Sequence, residues 1–414
     1  MRLLHTSDWH LGQTLHNFDR SYEHQRFLDW LLDMIEAERA DALLIAGDIF
    51  DNANPSAAAQ RQFYRFLTGA KRRVPQLDIV IIAGNHDSAG RLEAPAPLLE
   101  AFDATVVGYV TRDARGEIEL ERLVVPLRNR DGEIAAWCLA IPFLRPGDVP
   151  RVETDGDPYL AGIALLYRQA LDLALSRRQN GQAIVALGHC HMSGGQTSED
   201  SERRIIIGGA EALPVEIFDP AITYAALGHL HRAQTIGGQA RVRYSGSPLP
   251  MSFAELNYRH QVVRIDLAGG SLVETTPIPI PRSVEMLQVP EQPTPLADVL
   301  EALATLDLPD VLLEAQPYLE VRVRLNAPEP GLRARVEAVL DGKPVRLTRI
   351  ETSYGDSAGN DSAGGPQSLD ELGRLQPDDI FRKLHCRKYG EEPAAALMGA
   401  FRELLLAADR ETAP

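Results

Sequence analysis

Short apolar runs alternate with segments of helical periodicity through the first 270 residues of the chain. Apolar runs at 3–6, 42–46 and 79–83 predict three buried strands. Between them, residues 24–39 place apolar side chains on one helical face, and residues 57–67 repeat that pattern. This β-α-β-α-β order predicts parallel strands that are covered by helices.

The pattern then becomes richer in β-structure. Residues 106–140 are hairpin-like, with turn signals at 114–116 and 131–132, and residues 159–178 predict a long helix. Five further strands are predicted at 183–187, 205–207, 223–227, 241–244 and 261–265. An α/β fold with four layers, α/β/β/α, accommodates this order with two sheets inside and helices outside.

Proline clusters at 277–281 and 290–295 predict a domain boundary. Beyond them, helices at 297–304 and 332–340 and strands at 318–325 and 345–350 predict a small α+β unit. A stretch rich in Gly, Ser and Asp follows, and it predicts a flexible linker because it offers almost nothing to bury. The predicted domains are therefore a main domain at 1–275, an α+β cap at 276–351, a linker at 352–369 and a helical pair at 370–414.

The helical pair is predicted at 378–384 and 393–408, with Phe401, Leu404 and Leu405 on one face. A short pair on a flexible tether cannot bury such a face well by itself. We therefore expect it to dock on a partner protein, and folding back onto its own chain is the alternative.

Composition bounds these interpretations. The chain has 414 residues, of which 44% are hydrophobic and 24% charged, as in an ordinary globular enzyme of two or three domains. No apolar run reaches 18 residues, so no membrane span is predicted, and the start of the chain lacks an apolar signal core. Three widely spaced cysteines make a disulfide framework improbable and favour a reducing cytoplasm.

The formal net charge of −16 argues against a non-specific polyanion binder. Net charge does not describe a local surface, however, and bound divalent cations would reverse the sign of the potential within a site. The charge therefore lowers the expectation of nucleic-acid binding without excluding it.

Metal-capable side chains follow several of the predicted strands. The stretches are Asp8-Trp9-His10, Gly47-Asp48, Gly84-Asn85-His86-Asp87, Gly188-His189-Cys190-His191 and Gly228-His229-Leu230-His231, with His16 and Asp51 nearby. Each pair alone occurs often by chance, and Asp or Asn after a strand often only caps a turn. Five such stretches in order, all at the ends of strands in an open α/β sheet, predict a metal site instead.

The residue types suit a dinuclear site. Two cations roughly 3.5–4 Å apart require a bridging anion, normally a carboxylate, together with oxygen and nitrogen ligands. Asp8 and His10 stand two residues apart, as do His229 and His231, so each pair faces one side of an extended segment.

The ordered motifs resemble those of the calcineurin-like metallophosphoesterases. Within that superfamily, segments 1–12, 47–51 and 141–146 and the C-terminal helical pair are similar to bacterial nuclease subunits of DNA-repair complexes. The resemblance covers almost the whole chain and implies two divalent cations, with Mn²⁺ as the family expectation. It implies a first cation held by Asp8, His10, Asp48 and His231, and a second held by Asp48, Asn85, His189 and His229, with Asp48 bridging.

The resemblance gives His86 a role in proton transfer or charge stabilisation beside the scissile phosphate instead of metal binding. Asp51 is expected to orient His86, and Asp87 is the competing candidate for that role. His191 and His16 stay undecided between a place near the substrate and simple solvation. We expect His5 to be a core residue, and His24, His260 and His385 to lie on the surface. Cys190 faces away from His189 and is not expected to bind zinc.

The resemblance implies a DNA exonuclease and hairpin endonuclease that works with a coiled-coil, SMC-like ATPase, as a homodimer within a heterotetramer. The resemblance also implies a dimer contact through the helices at 57–67 and 92–102, because similar regions form that contact in the family. The alternatives are a small-molecule phosphodiesterase or phosphatase on the same core, and a scaffold whose metal site is structural. The cap and the tethered helices favour the nuclease, since a small-molecule enzyme would not need them.

Overall fold

The computed structural model describes residues 1–100, 103–198 and 212–354 and scattered positions between 381 and 401. The strands are β1 (Arg2–Thr6), β2 (Thr14–Leu15), β3 (Phe18–Asp19), β4 (Ala42–Ala46), β5 (Asp78–Ile82), β6 (Ala104–Val107), β7 (Val124–Arg128), β8 (Ile134–Ala140), β9 (Ala183–His189), β10 (Tyr224–Gly228), β11 (Gln234–Ile236), β12 (Gln239–Tyr244), β13 (Gln261–Ala268), β14 (Ser271–Pro279), β15 (Met286–Pro295), β16 (Tyr318–Leu325) and β17 (Arg346–Tyr354). The helices are α1 (Ser21–Ala37), α2 (Ala57–Arg73), α3 (Ala89–Glu93), α4 (Ala96–Glu100), α5 (Pro158–Arg177), α6 (Leu296–Ala304) and α7 (Leu332–Leu340).

Two six-stranded sheets form the centre of the fold. The first has the order β14-β13-β1-β4-β5-β6, and its strands β1, β4, β5 and β6 are parallel. The second has the order β11-β12-β10-β9-β8-β7, with β12, β10, β9 and β8 parallel. The parallel arrangement predicted for the first strands is therefore confirmed. Antiparallel strands lie at both edges of the second sheet and at one edge of the first.

The hydrophobic clusters define four layers. One cluster joins the outer face of the first sheet to α1 and α2, through residues such as Leu31 and Phe63. A second cluster lies between the sheets and continues to α5, through residues such as Leu44, Val185 and Leu166. The chain therefore has the predicted α/β/β/α order. The helix ends follow local chemistry: the Ser56 hydroxyl oxygen accepts a hydrogen bond from the N–H of Ala59 at the start of α2.

A third, three-stranded sheet of order β15-β16-β17 carries α6 and α7. Its own cluster joins residues such as Val321, Leu303 and Val336. Five of the six prolines expected to mark a boundary lie inside strands instead, in β14 and β15, and Pro281 lies between the two strands. Both strands are at the edge of a sheet, where a residue without an N–H leaves no ladder bond unmade.

Met1–Ser353 forms one compact unit and Tyr354–Pro414 another. The first unit contains both the predicted main domain and the predicted cap, so the boundary at 275/276 stays a prediction. The strand predicted at 205–207, the linker at 352–369 beyond Tyr354 and most of the helical pair at 370–414 lie outside the described residues. In the second unit the rings of Phe381 and Phe401 stack, with their centroids 4.2 Å apart. Among the described helices, none combines the length and apolar character needed to cross a bilayer.

Candidate metal centre

The carboxyl ends of five strands meet at one point between the two large sheets. Asp8 and His10 follow β1, Asp48 follows β4, Asn85 follows β5, His189 ends β9, and His229 and His231 follow β10. Backbone hydrogen bonds hold the first two loops together, because the N–H groups of Asp8 and His10 donate to the carbonyl oxygens of Gly47 and Asp48, both at 3.0 Å. The structure therefore brings all seven predicted ligands together.

One group of side chains matches the predicted first cation site. Ligand atoms of Asp8, His10 and His231 lie within 4.8 Å of one another, and all three residues are buried. The Nε2 atom of His10 is 3.7 Å from Oδ2 of Asp48. That Nε2 atom is buried and has no hydrogen-bond partner among the described residues. A buried polar atom is usually paired, so this nitrogen is available to a cation.

The second group converges on the side-chain oxygen of Asn85. Oδ1 of Asn85 is 2.9 Å from Nε2 of His189 and 3.0 Å from Nδ1 of His229. Oδ2 of Asp48 is 3.4 Å from Nε2 of His189. The same carboxylate oxygen thus lies between His10 of the first group and His189 of the second, which is the position that a bridging ligand requires.

Backbone strain is concentrated in these loops. Asp8, His10, Asp48 and His229 have φ values of 55°, 47°, 49° and 107°. Residues other than glycine rarely adopt positive φ, and such conformations persist where the surrounding structure enforces them, often at functional sites. Four of the seven predicted ligands therefore share a backbone conformation that is uncommon for residues other than glycine.

Burial and mutual charge shift several pKa values in the site. Burial raises the pKa of the Asp8 carboxyl above its usual range. Burial would also raise the pKa of Asp48, but the charge and hydrogen bond of His189 and the charge of His10 hold it well below its usual range. Burial would lower the pKa of His189, whereas Asp48, Asp8 and a backbone hydrogen bond raise it to about 9. The charges of Asp48 and His189 thus stabilise each other within the site.

His86 lies half-exposed at the edge of this group, and its backbone N–H donates to Oδ1 of Asp48 at 2.9 Å. Its Nδ1 atom is 2.7 Å from the backbone carbonyl oxygen of Asp51. The expected contact with Asp51 is therefore present, but the backbone oxygen makes it, because the Asp51 carboxylate faces Nδ1 of His10 at 3.6 Å. A ring nitrogen of His86 also lies within 4.8 Å of ligand atoms of His10 and Asp48.

Asp87, the competing candidate for orienting His86, has a different role. Its carboxylate oxygens accept hydrogen bonds from the N–H groups of Ile49, Phe50 and Gly84 at 3.1, 2.9 and 2.9 Å. Burial, reinforced by the charge of Asp48, raises the pKa of Asp87 to about 6. Asp87 therefore ties the loop after β4 to the loop after β5.

Several groups that support the ligands were not evident in the sequence. Oε1 of Glu255 is 2.8 Å from Nδ1 of His231, and the backbone oxygen of Ala46 is 2.8 Å from Nδ1 of His189. The Ser7 hydroxyl donates to the Asp8 carboxylate. Groups of this kind fix the tautomer and orientation of a ligating imidazole. Glu255 lies 24 residues from His231, and no spacing pattern relates the two positions.

The remaining histidines divide between confirmed and wrong expectations. His5 is a core residue as predicted, and its ring nitrogens lie 3.0 Å from the Tyr224 hydroxyl and 3.1 Å from the Leu227 carbonyl oxygen. His24 was expected on the surface but is fully buried, because it belongs to the inward face of α1. His260 is partly buried rather than exposed, with Nδ1 2.8 Å from the Ser247 carbonyl oxygen. The described part of the second unit includes a half-buried His385.

His191, His16 and Cys190 belong to none of the candidate metal groups in the part of the chain that the structure describes. The ring of His191 is 6.2 Å from that of His229, and it borders a cavity with Phe143. The ring of His16 lies 6.4 Å from that of Phe253. The Cys190 thiol contacts the sulfur of Met192 at 3.7 Å, and its ligand atom belongs to none of the candidate metal groups among the described residues.

The donor set fits a pair of divalent cations. It combines carboxylate, amide and imidazole donors without thiolates, as Mn²⁺ and related metals prefer. The unpaired Nε2 of His10 and the central carboxylate of Asp48 are the observations that carry this fit.

Comparisons with known proteins cover nearly the whole chain. A family model described as calcineurin-like phosphoesterase matches residues 1–233, and one described as type 5 capsule protein repressor C-terminal domain matches residues 282–388. The SbcD subunit of the nuclease SbcCD from Rhodobacter capsulatus is 42% identical over 92% of this chain and 93% of its own length. The SbcD protein of Escherichia coli K12 is 32% identical over 97% of both chains. The SbcD protein of Bacillus subtilis is 37% identical over 65% of this chain and 67% of its own length.

Proposed function

The chain belongs to the calcineurin-like phosphoesterases and, within them, to the SbcD nuclease subunits, and on this basis we propose that it is a Mn²⁺-dependent DNA nuclease. The proposed reaction is metal-activated hydrolysis of a phosphodiester. The protein would act as a double-strand exonuclease and as a hairpin or single-strand endonuclease in DNA repair and recombination. The observation that carries the proposal is the Asp48 carboxylate between the two ligand groups, 3.7 Å from His10 and 3.4 Å from His189. A dinuclear hydrolase needs such a bridging group.

Asp8, His10, Asp48 and His231 would hold one cation, and Asp48, Asn85, His189 and His229 the other. Bound cations at such a site lower the pKa of a water molecule and neutralise charge on the phosphate. The contacts of Ala46 and Glu255 with Nδ1 of two ligand histidines support this assignment, because they fix the orientation of both rings, and Nε2 of His189 then faces Asn85 and Asp48.

His86 would deliver a proton to the leaving oxygen or stabilise charge that develops there. The backbone oxygen of Asp51 accepts a hydrogen bond from Nδ1, which directs the lone pair or second proton of the ring to Nε2. Half-exposure gives that side of His86 access to a substrate, whereas the neighbouring His10 is buried.

A complex with DNA and a coiled-coil ATPase of the SbcC type is the proposed setting. The names of the relatives describe each of them as one subunit of a larger nuclease, SbcCD. The three-stranded sheet with α6 and α7 would cap the site, and the helical pair near the C-terminus would bind the ATPase. We also propose a homodimer through α2, α3 and α4, within a heterotetramer. Free thiols at Cys138, Cys190 and Cys386 support a reducing, cytoplasmic location.

The test compares two classes of phosphodiester. The protein is stripped of metal with EDTA, supplied with MnCl₂, and incubated with end-labelled hairpin DNA or bis(p-nitrophenyl) phosphate, with and without the partner ATPase. We expect cleavage of the hairpin DNA, and Asp48→Asn should abolish it. Asp155→Asn is the matched control, because Asp155 is exposed and distant in sequence from every ligand.

Cleavage of the small diester alone, even with the ATPase present, would contradict the nuclease proposal and favour a small-molecule phosphodiesterase. Hydrolysis of neither substrate with Mn²⁺ would favour a scaffold with a structural metal site.

A further inference from the structure

A chain of buried polar contacts begins at the metal-site residue His231. Its Nδ1 atom is 2.8 Å from Oε1 of Glu255, and the other carboxylate oxygen of Glu255 accepts a hydrogen bond from the N–H of Met251 at 2.7 Å. Glu255 is fully buried at the end of a short 3₁₀ helix, Phe253–Glu255. Because both of its oxygens make hydrogen bonds, the Glu255 carboxylate is held in one orientation. Its contact with Nδ1 in turn fixes the orientation of the His231 ring.

A buried arginine holds the segment that carries Met251 and Glu255. Nη1 of Arg20 donates to the carbonyl oxygen of Pro250 at 2.8 Å and to Oε1 of Gln13 at 2.7 Å. The amide of Gln13 in turn donates to the carbonyl oxygen of Met251 at 3.2 Å, and its backbone N–H donates to the carbonyl oxygen of His10 at 2.9 Å. Arg20 thus connects the loop of one predicted ligand to the segment that supports another.

The remaining donors of Arg20 form a bidentate ion pair with Glu23. Nε and Nη2 of Arg20 each lie 2.8 Å from one oxygen of the Glu23 carboxylate, and both residues are buried. A planar guanidinium bound at two points has little freedom to rotate. The position of Glu23 therefore determines the position of Arg20.

The far end of the chain of contacts lies in the three-stranded sheet. The hydroxyl of Tyr318, the first residue of β16, donates to Oε1 of Glu23 at 2.8 Å. The guanidinium carbon of Arg346, from β17, lies 3.8 Å from the centre of the Tyr318 ring. Tyr318 and Phe253 belong to one apolar cluster, so the 3₁₀ helix that ends at Glu255 also packs with the sheet.

We propose that Glu255 is a positioning residue for His231, and that the path Tyr318–Glu23–Arg20–Gln13–Met251–Glu255 makes the affinity of the first cation depend on the position of the three-stranded sheet. The inference rests on the proposed metal centre and adds to it the support of one ligand and its connection to a second part of the fold. A change in the position of the sheet would reach His231 through buried groups, Glu23, Arg20 and Glu255, and a polar contact that is lost in such surroundings is costly.

The first test measures Mn²⁺ binding directly, by isothermal titration of the full-length protein after removal of metal with EDTA. Loss of the partner of a ligating histidine typically weakens metal binding on the order of 10–100-fold. We expect Glu255→Ala to weaken one of two Mn²⁺ sites by this factor and to leave the other unchanged. Glu255→Gln should have a smaller effect, because the amide oxygen of glutamine can still accept from Nδ1 of His231, although its amide nitrogen cannot replace the oxygen that accepts from Met251.

The second test compares two hydroxyl deletions in the same sheet. Tyr318→Phe removes the contact with Glu23, whereas Thr348→Val removes a hydrogen bond from the Thr348 hydroxyl to the Leu319 carbonyl oxygen, 2.7 Å long, that lies outside the path. We expect Tyr318→Phe to weaken the same Mn²⁺ site as Glu255→Ala, by a smaller factor, and Thr348→Val to leave both sites unchanged. Thermal unfolding of each variant in EDTA measures the loss of folding stability separately.

The outcomes distinguish this inference from the proposed function. If the unaltered protein binds no Mn²⁺, the metal centre itself is wrong. If it binds two ions and Glu255→Ala binds them equally well, the positioning role of Glu255 is overturned while the nuclease proposal stands. If Tyr318→Phe and Thr348→Val bind Mn²⁺ alike, the path to the sheet is overturned.

Discussion

The rings of His86 and His10 pack edge to face, with centroids 4.9 Å apart, and both residues are near the Asp48 carboxylate. His10 is buried, whereas His86 is half-exposed and bound through Nδ1 to a backbone oxygen. This asymmetry suits a division of roles in which His10 binds a cation and His86 handles a proton. A ring nitrogen of His86 also lies within 4.8 Å of ligand atoms of His10 and Asp48, so His86 could itself bind a cation. Metal content and activity must therefore be measured on the same His86 variant.

The first prediction concerns His86→Gln. We expect hairpin cleavage to fall by roughly 10²–10⁴-fold, the usual contribution of a general acid, while the protein still binds two Mn²⁺ ions. Asp51→Asn should lose less than about tenfold, because the backbone oxygen of Asp51 makes the contact with His86. Rates come from single-turnover kinetics and metal content from mass spectrometry. Loss of one Mn²⁺ ion in His86→Gln would make His86 a ligand.

The order of the motifs at the strand ends, together with the family resemblance, was sufficient to propose the seven ligands, and the structure brings these side chains together. That order was insufficient for Glu255, which reaches His231 only through the tertiary fold. His24 shows the same limit, since it lies on a helix whose buried face includes it. The contact of His86 with the backbone of Asp51 was equally inaccessible, because every residue carries a carbonyl oxygen.

A second prediction follows from two buried histidines. Burial lowers the pKa of His5 to about 3 and that of His24 to about 4, with Arg20 adding to the effect on His24. The unfolded chain takes up these protons near its ordinary pKa of about 6.5, and the folded protein does not. Their contribution to stability is therefore complete above pH 6.5 and decreases as the pH falls towards 4.

The expected loss is on the order of 1.4 kcal/mol per pH unit for each histidine between pH 6.5 and 4. Urea unfolding in EDTA across this range measures it. His5→Gln should give a shallower pH dependence than the unaltered protein. Equal slopes for the two proteins would show that His5 does not contribute.

At the scale of elements, the site depends on close approach between the ends of β4 and β10. A methyl group on Gly228 would overlap the carbonyl oxygen of Ala46, the same oxygen that contacts His189. The third prediction is that Gly228→Ala weakens Mn²⁺ binding at least tenfold and lowers the unfolding temperature, because the strand ends must separate.

Gly90→Ala is the matched control, since nothing lies within 4 Å of the added methyl group, in helix α3. It should bind Mn²⁺ as the unaltered protein does and be as stable or slightly more so. Isothermal titration and thermal unfolding of both variants make the comparison. Normal binding by Gly228→Ala would mean that the strand ends can separate without displacing His189.

The prolines show where local signals mislead about elements. Pro277 and Pro279 pair with Val263 and Gln261 in an antiparallel ladder, although their cluster favoured a boundary in the sequence. An edge strand needs ladder bonds on one side only, and a pattern of prolines cannot show which strand is at an edge. By contrast, β16 and α7 have the predicted bounds, because apolar residues alternate with charged ones in β16 and glycines at 331 and 342 flank α7.

At the scale of the whole molecule, the chain has a net charge of −16, so bound cations should contribute to folding stability as well as to catalysis. Asp8 and Asp48 are buried close together, and cations would offset that charge in the folded state only. The fourth prediction is that MnCl₂ at 100 times its dissociation constant stabilises the protein by about 2.7 kcal/mol per site. Thermal unfolding with and without EDTA tests this, and Asp48→Asn should lose most of the effect while Asp155→Asn keeps it.

The last prediction separates the two compact units, Met1–Ser353 and Tyr354–Pro414. All seven predicted ligands, His86 and the three-stranded sheet belong to the first unit, so a chain that ends at Tyr354 keeps the whole proposed site. It should hydrolyse bis(p-nitrophenyl) phosphate within about twofold of the full-length rate and bind Mn²⁺ equally well. If the helical pair binds the ATPase, the shortened chain should no longer co-purify with it and should lose any ATP-dependent cleavage of hairpin DNA. Retained co-purification would place the ATPase contact on the first unit instead, and loss of the small-diester activity would show that the second unit contributes to the site.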